Sequence, residues 1–205
     1  MKIVIVITVL MMVIPSIGMS GVIIIPDDHT MIQTVIDEAN PGDTIKVKYD
    51  TYYESLKIDK DIFLTKYGTQ IPIITSPIGA TITIESAEVT VSGLDIRSSH
   101  QYGTGILIYG NKSVTIESCT LSGLYTGICA LQTNVEINGC LIYDNDVGIY
   151  ISQDVLFNKY STLIVNCTIC ENQKGVYTTS HNTRIINSIL WGNTYADIVG
   201  SPCVT

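Results

Sequence analysis

The sequence predicts an all-β fold, a solenoid of parallel strands wound around one apolar interior, and three observations predict it. The first is a repeat. The stretch from Val114 to Leu131 returns in altered form from Val135 and again from Thr162. Aligned on cysteine, Cys119, Cys140 and Cys167 share a column with Leu94 one copy earlier and Ser188 one copy later, at spacings of 25, 21, 27 and 21 residues. Periods of roughly 20 to 50 residues mark repeat architectures. The second observation is alternation. Val91, Ile116, Ile137, Ile164 and Ile185 lie three residues before the column, and Ile96, Leu121, Ile142, Ile169 and Leu190 two after it. A two-residue period belongs to strands with one buried face. The third is punctuation. Asn145, Asn172 and Asn193 recur five residues after the column, where a turn belongs. Gly127, Gly148 and Gly175 recur eight after it, each followed by a β-branched residue. Helices need a 3.6-residue period over roughly ten uninterrupted residues, and the repeats offer neither.

These residues carry a family pattern. Cys140, Ile142, Asn145, Gly148 and Ile149, then Cys167, Ile169, Asn172, Gly175 and Val176, match a spacing of the form xxCxIxxNxxGI. The chain thereby resembles the right-handed parallel β-helix repeat family, the pectate-lyase-like superfold, over roughly residues 26 to 198. The resemblance implies a right-handed coil in which each strand pairs with its equivalent one turn along. It says far less about chemistry, because this fold hosts many functions.

Composition agrees with that architecture. The 205 residues are 46% hydrophobic with two Phe and one Trp, so the interior must be aliphatic. Lys and Arg number 11 against 19 Asp and Glu, with no basic cluster, which disfavours a nucleic-acid partner. Residues 1–20 read as a secretory signal: Lys2, an apolar run from Ile3 to Ile14, Pro15, then small Gly18 and Ser20 before a cut at Gly21. The apolar run is short for a membrane span. Cleavage leaves residues 21–205 as one β-helix domain with no membrane span, secreted or at the cell surface, and removes Lys2 to give a net charge of −9. Six cysteines in an exported chain suggest disulfides. Equivalent residues on neighbouring parallel strands, however, lie about 4.8 Å apart and point the same way, which is too far for a bridge. Cys119, Cys140 and Cys167 are therefore expected as a stacked, reduced ladder, while Cys129, Cys170 and Cys203 are left unpaired by the sequence.

Taken in order, Val22 to Ile25 forms a first strand. Asp27, Asp28 and His29 then turn the chain, and a turn explains them without a cation. Thr30 and Gln33 have capping-box spacing ahead of Ile32, Val35 and Ile36, predicting one short amphipathic helix that plugs the open end of the solenoid. Gly42 to Val47, Tyr52 to Ile58 and Lys60 to Leu64 begin the coils. Loops at Ser98 to Thr104 and Gln153 to Ser161 lengthen two turns. Asn187 to Asn193 is the last good repeat, with no polar cap after it.

Few residues point to chemistry. His29, His100 and His181 sit at different places in the repeat, and past the signal only Met31 remains among methionines, so soft-metal binding is disfavoured. No cofactor is expected. A Ca²⁺ turn at Asp144-Asn145-Asp146 competes with a solvated turn, and no residue is assigned to metal binding. Glu117 and Glu136 fall on adjacent coils, but the same columns turn apolar at once, through Leu163, Val165 and Ile186, so no catalytic pair is assigned. Asn111 and Asn166 begin glycosylation-acceptor triplets. Tyr150 and Tyr177 are the stronger signal: each is the next outward residue after its Gly step, so the rings stack on adjacent coils. With Asp146, Glu171 and Lys174 on nearby turns they suit the apolar faces and hydroxyls of a sugar. The expected function is thus a non-catalytic extracellular protein whose partner is polysaccharide or another protein. A polysaccharide lyase or glycoside hydrolase is the rival. Outward columns that become apolar toward the C-terminal coils also predict self-association there, unless the Gln153 to Ser161 loop and the tail from Tyr195 cover them.

Overall fold

The repeats close into coils because single residues at the corners adopt a left-handed conformation. Gly93, Ser118, Gly139, Asn166 and Asn187 hold φ between 47° and 69° where the chain leaves one sheet for the next. Asp144 and Glu171, at 55° and 57°, do the same one corner later. Such a residue reverses the side-chain alternation within one step, at a cost of about 1 kcal/mol where it is not glycine. The computed structural model describes residues 20–25, 31–110, 112–153 and 159–200, with the backbone of 203 and 204. The segment expected to be a signal, up to residue 19, the turn expected at Asp27 to His29, Thr30, Asn111, residues 154–158 of the expected loop and the Cys203 side chain lie outside the described residues.

Among the described residues the strands form three parallel sheets of nine, seven and seven strands. The first runs Val22–Ile25, Thr44–Val47, Ile62–Lys66, Val89–Ser92, Ser113–Glu117, Asn134–Asn138, Thr162–Val165, Thr183–Ile186 and Cys203–Val204. The second runs from Thr51–Tyr53 through Ile73–Ser76, Asp95–Ser98, Thr120–Ser122, Leu141–Tyr143 and Thr168–Cys170 to Ile189–Trp191. The third runs from Leu56–Ile58 through Ala80–Glu85, Thr104–Tyr109, Thr126–Leu131, Val147–Ser152 and Lys174–Thr178 to Ala196–Val199. Each coil contributes one strand to each sheet, as the repeat spacing requires.

The interior is the expected aliphatic column. Ile116, Ile137, Ile164, Leu121, Ile142, Ile169, Ile128, Ile149 and Val176 are all fully buried, and Tyr52 is the one aromatic residue in the described core. Cys119, Cys140 and Cys167 are buried and free, and each thiol donates to the carbonyl of an earlier coil, Val91, Ile116 and Ile137 respectively. Hydrogen bonding within the stack and burial push the Cys140 thiol up to about 12.

Two other columns explain their own repetition. A Cβ on Gly127, Gly148 or Gly175 would lie 2.5–2.6 Å from the carbonyl oxygen of the next coil, so only glycine lets the third sheet bend there. The asparagines stand at the turn between second and third sheets, but their side chains point inward. Asn145 Nδ2 donates to Asn172 Oδ1 and Asn172 Nδ2 to Asn193 Oδ1, both at 2.9 Å, and the backbone N–H groups of Asn145 and Asn172 reach the same oxygens. A buried corner that would orphan its amides is thus satisfied coil by coil.

The helix spans Ile32–Glu38 and buries Ile32, Val35 and Ile36. Its start differs from the capping-box expectation. Met31 occupies the cap position with no side-chain cap bond, and the first amides donate instead to Glu54, Ile32 N to Oε1 at 3.0 Å and Gln33 N to Oε2 at 2.9 Å. Gln33 is then free to act as a surrogate strand, accepting from Lys57 N at 2.7 Å and donating to Lys57 O at 3.2 Å. The plug therefore covers the edge of Leu56–Ile58 by hydrogen bonds as well as apolar contact.

The tail from Tyr195, named above as an alternative cover for the C-terminal coils, takes another course. It does not fold back as a cover. Ala196–Val199 pairs with Lys174–Thr178, and Cys203–Val204 with Thr183–Ile186, so the coil continues.

Candidate functional site

The third sheet positions the strongest cluster. Its outward column after the glycine step reads Lys57, Thr83, Leu107, Cys129, Tyr150, Tyr177 and Val199. Because each residue stands one strand spacing from the next, two successive tyrosines must face each other. The rings of Tyr150 and Tyr177 lie 5.3 Å apart with planes tilted by 37°. Lys174 places Nζ 5.3 Å from the Tyr177 ring centre and 5.5 Å from that of Tyr195, a shared cation–π contact. An open cleft of about 310 Å³ runs over these residues, lined by Tyr125, Thr126, Val147, Tyr150, Lys174 and Tyr177.

Three of the sequence-derived site residues, Tyr150, Tyr177 and Lys174, thus meet in one cleft. Asp146 stands at its rim and accepts from Gln173 Nε2 at 3.0 Å. Glu171 occupies the left-handed corner one step back, its amide bonded to Trp191 O at 3.3 Å, and does not line the cleft. Sequence reasoning missed Tyr125 and Tyr195. Both fall in the corner column Gly103, Tyr125, Asp146, Gln173, Tyr195, which the amide-to-carbonyl bonds from Tyr125, Val147, Lys174 and Tyr195 trace. Aligning the residue one before each strand of the third sheet would have found them. Tyr102, from the Ser98 to Thr104 loop, leans edge-on against Tyr125 at 5.8 Å and extends the aromatic surface.

Other candidates are dispersed. Asn145 spends its side chain inside the ladder, which removes the central residue of the Asp144–Asp146 turn from any cation. Among the described residues no three His, Cys, Asp or Glu side chains are grouped to hold a metal. Glu117 pairs in register with Asn138, and Glu136 with Thr115 and Leu163, so the two carboxylates sit one column apart. The groove beside them, about 260 Å³, is lined by Glu136 with Thr115, Asn134, Ser161 and Leu163, and Glu117 is not part of it. His100 bonds locally, its Nδ1 accepting from Tyr102 N at 3.2 Å. Cys129, under Tyr150 in the column, has its thiol pushed up to about 11 by burial.

Comparison with known proteins agrees with this architecture. The sequence model of the family described as right handed beta helix region matches residues 78–201. No curated protein sequence matches. Among solved structures, the chain is similar to an alginate lyase from Paenibacillus sp. str. FPU-7, with a TM-score of 0.65 and 14% identity over 90% of this chain and 74% of that one. It is similar to the pectin methylesterase from Aspergillus niger, at 0.59 and 15% over 94% and 86%. It is also similar to pectin methylesterase PemA from Erwinia chrysanthemi, at 0.53 and 14% over 90% and 81%. At these identities the likeness is one of fold.

Proposed function

The chain belongs to the right-handed beta-helix family, and on that premise we propose that it is a secreted, non-catalytic surface protein that binds polysaccharide across Tyr150 and Tyr177. The observation that carries this reading is the pair of rings on adjacent coils, 5.3 Å apart, beside a lysine and under an open cleft. Sugars present C–H faces that stack on phenol rings, and their hydroxyls find donors and acceptors in Lys174, Gln173 and Asp146. The rival reading, a polysaccharide lyase or hydrolase, draws on neighbours named alginate lyase and pectin methylesterase. Incubation with pectin, alginate and related polymers, with and without Ca²⁺, separates the two. Retention on a polymer without release of unsaturated ends, reducing ends or methanol is expected. Release of any of these replaces binding with catalysis.

The same reading includes a second copy of the chain as partner. The outer face of the second sheet carries Leu141, Ile189 and Trp191 at 40%, 64% and 67% exposure, with Thr168 and Cys170 between them; the charges of those columns, Asp95 and Arg97, lie on an earlier strand and pair with each other. On the first sheet Leu163, Val165 and Ile186 are only half-exposed, so the second sheet is the stickier face. In a chain of net charge −8, an uncharged patch is where two copies can meet without repulsion. Light scattering across a concentration series is expected to show association, and a clean monomer throughout removes this part of the reading.

A further inference from the structure

The cleft runs along the solenoid axis. Tyr125 and Tyr195 stand three coils apart in the corner column, while Tyr150 and Tyr177 form the facing wall. Three strand spacings separate Tyr125 from Tyr195, about 14 Å, room for an oligosaccharide lying across the coils and too long for a single sugar. Carboxylates stand around this cleft, outside its lining. Asp146 stands in the corner column itself, Asp144 and Glu171 hold the adjoining left-handed positions, and Asp197 follows Ala196. Against these four acids, the cleft offers one ammonium among the described residues, Lys174, already placed over two rings.

Building on the polysaccharide reading above, we infer that the ligand is an uncharged glycan lying along the solenoid axis from Tyr125 to Tyr195. A chain with a carboxylate on every sugar would set a row of like charges against that rim, with a single cation to offset them. An uncharged chain meets no such repulsion. Its ring faces stack on the tyrosines, and its hydroxyls donate to carboxylates, which are strong acceptors and have no proton to give. The acidic rim then assists binding.

Calorimetric titration with xyloglucan and galactan oligomers, polygalacturonate and chitosan oligomers tests this. Neutral oligomers are expected to bind with an affinity that is the same at low and high salt, because no ion pair forms. Tyr125→Ala and Tyr195→Ala are each expected to weaken that binding about tenfold with circular dichroism unchanged. Tighter, salt-sensitive binding of polygalacturonate or chitosan, still lost with Tyr150→Ala plus Tyr177→Ala, overturns the uncharged ligand and leaves the tyrosine platform standing. Wild-type affinity in Tyr125→Ala and Tyr195→Ala, with loss in the central pair, overturns the axial path. No binding by any polymer overturns both this inference and the function it rests on.

Discussion

The outer face of the third sheet is used in two ways, early and late in the chain, on the same backbone. In the early coils the outward residues satisfy one another. Lys57 Nζ lies 2.9 Å from Glu85 Oε2, and Tyr109 gives its hydroxyl to the same carboxylate. The Tyr109 hydrogen bond and the Lys57 ion pair hold Glu85 below the usual carboxylate range, while Glu85 pushes Tyr109 upward. Later in the chain, the column that began with Lys57 reaches Tyr150 and Tyr177 before Val199, and the rings face open space over a cleft. The solenoid dictates where each outward side chain stands and is indifferent to what it is. A binding surface can therefore be written on a few late coils without disturbing the inward columns that hold both regions together.

That separation breaks most visibly if an inward column is charged. Ile137 is fully buried, so Ile137→Asp leaves an unpaired carboxylate inside and costs several kcal/mol, enough to abolish folding. Thr115→Asp lies on the neighbouring strand facing out, in register with Glu136, and is expected to melt close to wild type. Equal loss in both variants would show that inward and outward residues are wrongly assigned.

A smaller effect is expected where the late coils touch. Gly148→Ala would set a Cβ 2.6 Å from Gly175 O and 3.2 Å from Asn172 Nδ2, wedging apart the coils that carry the two tyrosines. Overpacking of this kind costs about 3 kcal/mol, to be read from urea unfolding. A loss under about 1 kcal/mol would mean the coils can separate freely.

Alkaline pH sharpens the comparison further. Cys129 and Cys140 are raised to about 11 and about 12 in the fold, against about 8.5 for a free thiol. Raised thiol pKa values give a stabilisation fully present below about pH 8.5. It is lost as the pH climbs toward 11 to 12, because the unfolded chain ionises first. The melting temperature is expected to fall over that window, less steeply in Cys140→Val. An identical slope in the variant would assign the loss to other groups. The smallest effect belongs to the early network: Glu85→Gln, on an exposed ion pair, is expected to leave the melting temperature unchanged.

What the sequence disclosed follows from which contacts are periodic. The inward positions of Ile116, Ile137 and Ile164 were legible because strand alternation and coil repetition coincide there. The stacked thiols were legible for the same reason. Glu54 as the helix cap was not, because it reaches Ile32 across 22 residues and belongs to no repeat. The asparagine turn was legible as a turn, but its inward side chains depend on buried amides that only the corner geometry creates. Tyr150 and Tyr177 stood out because they follow the glycine column. Tyr125 and Tyr195 did not, because their column alternates with Asp146 and Gln173 and carries no common chemistry.

The central claim is that function lives on the late outward columns alone. Glycan-array binding by two double variants tests it most directly: Tyr150→Ala with Tyr177→Ala in the late coils, and Lys57→Ala with Glu85→Ala in the early ones. The account predicts that the tyrosine variant loses binding with its circular dichroism intact, while the early variant binds as the unaltered chain does. Retained binding in the tyrosine variant, or loss in the early one, would contradict it.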